Sequence, residues 1–164
     1  MQDRLWFAGM AKIHMATVYR VAFGYLRNRA DADDVTQAVL LKLWRSDASF
    51  NDDEHVKRWL IRATVHECTS LYRTLRRRPE NIDDYVENLA APDAAETAAN
   101  VELLRKVLHL PAKYAAPLYL YYYEGYSTAE VAELLGVGEN TLRTRMARAR
   151  RKLKDVLTKG EGQA

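Results

Sequence analysis

Residues 139–154, ENTLRTRMARARRKLK, concentrate positive charge in one short segment. They contain seven Lys or Arg residues and one acid, Glu139. Cations gathered this densely are suited to neutralising the phosphates of a nucleic acid. On a helix of about 100° per residue, one stripe of the segment and its continuation is apolar: Leu142, Met146, Ala149, Leu153, Val156 and Leu157. The opposite face carries short polar side chains flanked by arginines, so the pattern predicts a basic helix that packs by one face.

A shorter helix is predicted immediately before the basic one. Ser127 and Glu130 have the spacing of a capping box, and Gly136 is placed to end the helix in the left-handed conformation. A short helix, a glycine-containing turn and a second helix describe a helix-turn-helix, whose second helix enters the major groove of DNA. The alternative is an ordinary helical hairpin with a basic surface.

The composition favours an all-α protein. The chain of 164 residues has seven Gly and four Pro, and no alternating β-branched runs stand out. We find no apolar run long enough to cross a bilayer and no signal peptide, so we expect no membrane insertion. The single cysteine, Cys68, excludes an intramolecular disulfide and favours a cytoplasmic location. Its position on an apolar helix face predicts a buried, unreactive thiol.

Charge is segregated along the chain, although the net charge is only +3. Residues 57–78 contain seven bases and one acid, whereas residues 79–102 contain seven acids and no base. The acidic segment is rich in small residues and contains two prolines, which is typical of a linker. Part of it could be helical, because segments rich in Ala and Glu are not obligately coil. We therefore expect a helical domain over residues 1–78, an acidic linker over 79–100, a second helical domain over 101–158 and a disordered tail over 159–164.

Three helices are predicted in the N-terminal domain. The first covers residues 3–27 and includes Ile13 among its apolar positions, and Asp31 is placed to cap the second. The second helix is apolar on two sides, because a stripe of Gln37, Leu41 and Trp44 accompanies the stripe of Val35, Val39 and Leu43. The Gln37 stripe either packs inside a small bundle or, with Asp34, forms a surface for a partner.

The third helix, about residues 55–75, carries a row of cations beside an apolar face. The row includes Arg58, Arg62 and Arg73, with His66 among them, and we interpret it as a phosphate-contacting face rather than a merely solvated one. The polar loop before this helix, residues 47–55, contains acids that would repel phosphate. Such a loop could instead accept hydrogen bonds from an exposed base edge.

With these features the chain resembles an extracytoplasmic-function (ECF) sigma factor, a minimal member of the sigma-70 family of bacterial RNA polymerase. The similar segments are YRVAFGYLRNRADADDVTQAVLLKLWRS for region 2.1–2.2, HVKRWLIRATVHECTSLYRTLRRR for region 2.3–2.4 and LPAKYAAPLYLYYYEGYSTAEVAELLGVGENTLRTRMARARRKLKDVL for region 4. The resemblance implies two small helical domains, a region 2 bundle and a region 4 helix-turn-helix. It also implies a transcription initiation factor without enzymatic activity, cofactor or metal.

The resemblance assigns roles to the surfaces described above. Docking on the β′ clamp helices of core RNA polymerase would involve Asp34, Gln37, Leu41 and Trp44. Binding of the opened minus-10 strand would involve Asn51, Asp52, Arg58, Arg62, His66 and Arg73. Reading of the minus-35 duplex would involve Asn140, Thr141, Arg143, Thr144, Arg145, Ala147 and Arg148. The implied partners are core RNA polymerase, through its β′ clamp helices and β flap, promoter DNA and an anti-sigma factor, and the acidic linker would thread through the polymerase.

Several positions depart from the family pattern. They are Ala38, Leu40, His66, Ala115 and Pro117, the last of which is expected to bend its helix. Two other classes of protein are alternatives. A self-sufficient DNA-binding regulator would share the helix-turn-helix but would not need the second basic helix, the acidic linker or the second apolar stripe. An enzyme is disfavoured, because His66 and Cys68 diverge on a helix and the other histidines lack the spacing of metal ligands.

Overall fold

The computed structural model describes residues 1–75 and 98–162, and within these ranges it is helical, without strands. The elements in chain order are α1 (Arg4–Leu26), α2 (Arg29–Arg45), α3 (Asp53–Leu75), α4 (Ala98–Leu108), α5 (Ala112–Leu118), a π-helical turn (Tyr119–Tyr123), α6 (Thr128–Leu135) and α7 (Glu139–Gly162). The all-α class is confirmed. Helices α1–α3 form one compact unit and α4–α7 form another. Most of the predicted acidic linker lies outside the described residues.

In the first unit α1, α2 and α3 pack pairwise around a common apolar core. The predicted stripe of Val35, Val39 and Leu43 is buried in this unit, as are Phe23 of α1 and Leu60 of α3. Burial of a Leu or Phe side chain contributes roughly 1.5–3 kcal/mol, so this interleaved core is the main stabilising feature of the three-helix unit.

Two details of the first unit differ from the sequence expectation. Asn28, rather than Asp31, caps α2, because its side-chain oxygen accepts a hydrogen bond from the Asp31 backbone N–H at 3.0 Å. The helix therefore begins earlier than expected and Asp31 lies inside its first turn. Ile13 is 56% exposed, since the buried face of α1 runs through Met10 and His14, and Ile13 lies beside that face.

In the second unit α5 and α6 pack against α7, and the π-helical turn packs against α4, α5 and α6. Its fully buried side chains include Leu118, Tyr119 and Leu142. Helix α4 begins at Ala98, so the last residues of the predicted linker, 98–100, belong to a helix. Likewise α7 extends to Gly162, so four residues of the predicted disordered tail, 159–162, are helical.

Pro117 lies inside α5 and is buried, and the chain changes to a π-helical turn two residues later. Proline cannot donate a backbone hydrogen bond, so a change of hydrogen-bonding pattern near it is expected. The wider turn ends where the Glu124 N–H donates to the Tyr119 carbonyl at 3.2 Å. The Tyr119 hydroxyl also donates to the Glu124 carboxylate at 2.6 Å, and its ring stacks on Tyr123 at 5.2 Å. The helix thus continues past Pro117 with altered geometry.

Candidate functional site

The helix-turn-helix is positioned by local hydrogen bonds at the ends of its helices. Ser127 Oγ accepts from the Glu130 N–H at 3.1 Å, and Glu130 Oε1 accepts from the Ser127 N–H at 3.1 Å. Gly136 ends α6 in the left-handed conformation, with φ of 69°. The predicted capping box and left-handed glycine are therefore confirmed. They set the direction in which the chain enters α7, where the Leu142 N–H donates to the Gly138 carbonyl at 3.0 Å.

Helix α7 packs by its predicted apolar stripe and leaves a polar, cationic face outside. Leu142, Met146 and Ala149 are each at most 2% exposed. The stripe fades beyond them, since Leu153 is half-buried and Val156 is 38% exposed. Of the residues predicted for minus-35 reading, the exposed ones are Asn140, Thr141, Arg143, Thr144, Ala147 and Arg148. Arg145 is half-buried and lies at the margin of the packed face.

The first turns of α7 present hydrogen-bonding groups that local contacts hold in place. An Arg143 guanidinium nitrogen lies 2.9 Å from a Glu139 carboxylate oxygen, in an exposed ion pair one turn apart. The Thr144 hydroxyl donates to the Asn140 carbonyl at 3.2 Å. An exposed i,i+4 ion pair contributes only about 0.3–0.5 kcal/mol. Arg143 can therefore exchange Glu139 for a stronger ligand at small cost.

One of the seven cations in the 139–154 segment is engaged by tyrosines. The Arg150 Nε–H donates to the Tyr122 hydroxyl at 2.9 Å, and its guanidinium lies 5.5 Å from the Tyr121 ring centre. This contact links α7 to the π-helical turn and has the geometry of a cation–π interaction. Arg150 is thus a structural residue, which the charge pattern alone did not distinguish from its neighbours.

The cationic face of α3 is only partly as predicted. Arg62, His66 and Arg73 are exposed, but Arg58 is half-buried and pairs with Glu54, one turn earlier, at 3.2 Å. Arg58 thus has an acidic partner in the first turn of α3, because the helix begins at Asp53, before the predicted start at about residue 55. Glu67 itself forms an ion pair with Lys42 on α2.

The loop between α2 and α3 ends in two exposed polar residues, Asn51 and Asp52. Asp52 Oδ1 accepts from the His55 N–H at 2.8 Å, and His55 Nδ1 accepts from the Asn51 N–H at 3.1 Å. A carboxylate can accept several hydrogen bonds, so Asp52 keeps acceptor capacity for another donor. At the start of the loop the Met1 ammonium group, 2.5 Å from Asp47, lowers the pKa of that carboxyl.

The second apolar stripe of α2 lies at the surface, so its packing inside the bundle is excluded. Gln37 and Leu41 are exposed, and Trp44 is half-buried in edge-to-face contact with Phe7, at 5.1 Å between ring centres. Together with α1 residues they line an open apolar groove of about 520 Å³, whose lining is Arg4, Phe7, Ala8, Gln37, Leu40, Leu41 and Trp44. The contribution of α1 was not visible in the sequence, because it depends on how α1 packs against α2.

Asp34 is separated from the other three residues predicted for polymerase docking. It lines a second groove, between α2 and α3, of about 310 Å³. That groove also contains Glu67 and the hydroxyls of Ser70 and Thr74, so its polar lining differs from that of the apolar groove. The four predicted residues therefore span two adjoining surfaces of the first unit rather than one.

Chemically reactive groups are sparse in the described ranges. Cys68 is buried, and its burial, with a smaller contribution from Glu67, raises the pKa of the thiol far above its usual range. Residues 1–75 and 98–162 contain no group of three or more His, Cys, Asp or Glu side chains placed to hold a metal ion. Over the same residues, no helix combines the length and hydrophobicity needed to traverse a bilayer.

Two family profiles match the chain. The profile described as Sigma-70 region 2 covers residues 10–78, and the profile described as Sigma-70, region 4 covers residues 100–153. Among characterised proteins, the chain is 34% identical over 156 residues to the ECF RNA polymerase sigma factor SigM of Mycobacterium tuberculosis, covering 94% of this chain and 79% of that one. It is 27% identical to the RNA polymerase sigma factor SigV of Bacillus subtilis, covering 89% and 87% of the two chains.

Solved structures show the same fold. The sigma factor RpoE, in a complex with the anti-sigma factor NepR from Bartonella quintana, gives a TM-score of 0.67 at 20% identity and covers 93% of this chain and 96% of its own. CnrH, in a complex with the cytosolic domain of CnrY, gives 0.61 at 23% identity, with coverages of 95% and 90%. The chain therefore belongs to the ECF sigma factors of the sigma-70 family, regulatory proteins that bind RNA polymerase and direct promoter-specific initiation of transcription.

Proposed function

We propose that this chain, bound to core RNA polymerase, selects promoters by reading the minus-35 element as duplex DNA and the minus-10 element as an opened strand. The observation that supports this most strongly is the outer face of α7. It presents polar and cationic side chains on the second helix of a helix-turn-helix, while Leu142, Met146 and Ala149 on its inner face are buried. That placement suits insertion into a major groove.

For the minus-35 element, we assign base contacts to the first turns of α7. An Arg can donate two hydrogen bonds to guanine, an Asn can bind adenine, and a small apolar side chain can contact the thymine methyl group. Arg143, Asn140 and Ala147 have these chemistries and are exposed. Thr141, Thr144 and Arg148 lie beside them. Half-buried Arg145, at the margin of the helix, is better placed for a phosphate than for a base.

For the minus-10 element, we assign phosphate contacts to α3 and base contacts to the loop before it. Arg62 and Arg73 are exposed cations on one helix, His66 lies between them, and Arg58 would exchange Glu54 for DNA. Asn51 and Asp52 stand at the amino end of α3, where the cap of that helix holds them. Acceptors in this position can bind the edge of an extruded base, whereas a phosphate would be repelled by Asp52.

Core polymerase would dock on the apolar groove between α1 and α2. A groove lined by Leu41, Trp44 and Phe7 suits the apolar face of a partner helix, which in the polymerase would be a β′ clamp helix. Exposed Gln37 can hydrogen-bond at the rim, and Asp34 would meet a cationic group of the partner from the neighbouring groove. We further assign the β flap as the partner of the second unit and an anti-sigma factor as a competitor for the polymerase.

The free energy of promoter opening must come from both this chain and the polymerase. Opening DNA disrupts stacking at a mean of about 1.4 kcal/mol per step, while capturing one extruded base returns only a few kcal/mol. A chain of this size cannot open a whole bubble by itself. Promoter binding should therefore be weak for the free chain and strong for the holoenzyme.

Footprinting of a cognate promoter tests this division. We expect protection of both elements, and permanganate-reactive thymines near minus-10, only when core polymerase is present. Strong and specific protection by the free chain would instead favour a self-sufficient DNA-binding regulator, and the proposal would be wrong.

A further inference from the structure

The loop between α2 and α3 is held by residues that precede the segment matched by the region 2 profile, which starts at residue 10. The backbone N–H of Gln2 donates to the Trp44 carbonyl at 3.0 Å. The side-chain Nε2 of Gln2 donates to the Ser46 carbonyl at 3.0 Å and to the Ala48 carbonyl at 2.9 Å. Gln2 thus binds one carbonyl group in the last turn of α2 and two at the start of the loop.

An aromatic contact from the same segment holds the middle of the loop. The Trp6 ring stacks on Phe50 with ring centres 5.7 Å apart and planes 17° apart. Phe50 makes edge contacts with His55 at 5.2 Å and with Trp59 at 5.9 Å, both on α3. Phe50 immediately precedes Asn51, so its anchored ring determines where the exposed end of the loop begins.

We propose that Gln2 and Trp6 are positioning residues for promoter opening, because they hold the α2–α3 loop in the shape that presents Asn51 and Asp52 to a minus-10 base. This inference rests on the minus-10 role proposed above. It adds a second set of residues, which touch no DNA themselves, and attributes to them part of the base selectivity of the loop.

The physical basis is preorganisation. Fixing the backbone of one residue costs roughly 1–2 kcal/mol, and a loop that orders only on capturing a base would subtract that cost from its affinity. Ala48 and Ser49 are exposed and lie outside any helix, so the loop has little packing of its own at this point. The contacts from Gln2 and Trp6 replace that packing before DNA arrives.

The same N-terminal segment also reaches the apolar groove. Phe7 packs edge-on against Trp44, whose carbonyl accepts the Gln2 N–H, and Phe7 and Arg4 line the groove. A partner helix in the groove would therefore press on the residues that hold the loop. For this reason the test is made with holoenzyme rather than with the free chain.

The test compares Gln2→Met with the unaltered chain on one promoter and on derivatives with every base at each minus-10 position. Methionine keeps the length and neutrality of Gln2 but lacks the amide donors. We expect discrimination between the best and worst base at one minus-10 position, measured by the rate of open-complex formation, to fall about fivefold, as for the loss of one to two neutral hydrogen bonds. Core affinity and minus-35 discrimination should stay within twofold of the unaltered chain.

Two further variants complete the design. Trp6→Leu should reduce selectivity at the same position, because it removes the stack on Phe50 but keeps an apolar side chain. Asp3→Asn is the matched control, since Asp3 is exposed and makes no side-chain capping bond, and it should behave as the unaltered chain.

The outcomes separate this inference from the function on which it rests. If the unaltered holoenzyme shows no minus-10 base preference, the proposed function fails and this inference fails with it. If the unaltered holoenzyme discriminates and Gln2→Met discriminates equally, only the positioning role is overturned. The same holds if Gln2→Met slows opening equally on all derivatives together with loss of core affinity, because that result indicates a general role in folding or docking.

Discussion

Replacement of Arg143 tests the reading of the minus-35 duplex at a single side chain. In the unbound protein Arg143 is exposed and pairs with Glu139 at 2.9 Å, a contact that contributes about 0.3–0.5 kcal/mol to the helix. A bidentate contact with guanine contributes about 1–3 kcal/mol of discrimination. Arg143→Ala should therefore weaken binding of the preferred site by roughly 5- to 150-fold while barely changing stability.

A second substitution at the same position separates geometry from charge. Arg143→Lys keeps the cation but cannot form the planar two-point contact. If Arg143 reads a base, both variants should lose preference at the same base pair, and the dependence of affinity on salt should be unchanged. If Arg143 contacts a phosphate, Arg143→Ala should make the slope of log affinity against log salt concentration shallower by about 1. Arg143→Lys should then retain most of the affinity.

The assay is competition between minus-35 duplexes for holoenzyme, with each base pair varied in turn and salt as a second variable. Arg151→Ala is the matched control, because Arg151 is an exposed arginine on the same helix two turns further along. It should change affinity for all duplexes alike. Base preferences of Arg143→Ala that equal those of the unaltered chain would refute the base-reading role of Arg143.

Three other predictions concern the groove, the helix cap and the buried thiol. Leu41→Asp should weaken core-polymerase binding at least about tenfold in a fluorescence titration. Thermal stability should change little, since Leu41 is 44% exposed in the apolar groove. A lower melting temperature with unchanged core affinity would contradict the docking role. Ser127→Ala should destabilise the second unit in urea by about 1 kcal/mol through loss of the capping box, and an unchanged transition would contradict it. Cys68 should resist thiol reagents in the folded chain, because it is buried. The free energy of unfolding should fall above about pH 8.5, where the unfolded thiol ionises but the folded one does not. Cys68→Ala should reduce that fall.

The helix-turn-helix was predictable from the sequence because its determinants are local. Ser127 and Glu130 bond within one turn, Gly136 needs only its own backbone freedom, and the buried stripe of α7 follows from helical periodicity. The second apolar stripe of α2 was also predictable, but the sequence did not decide whether it lies inside the bundle or at the surface. Only the packing of α1 against α2 shows that Leu41 and Trp44 line an open groove.

Contacts between residues far apart in the sequence were not predictable. Gln2 bonds to carbonyl groups 44 and 46 residues away, and a backbone carbonyl carries no residue-type signature that would mark it as the partner. The role of Arg150 was hidden for a similar reason, because its tyrosine partner lies 28 residues earlier. The end of α7 was missed, because the composition of residues 159–164 suggested a disordered tail, whereas the helix extends to Gly162.

The most direct test of promoter selection by this protein is transcription in vitro. Core RNA polymerase is incubated with genomic DNA, with and without this chain, and the 5′ ends of the transcripts are mapped. We predict new start sites that share one minus-35 and one minus-10 sequence, and their loss with Leu41→Asp. Unchanged start sites in the presence of a folded, core-bound chain would contradict the claim that this protein selects promoters.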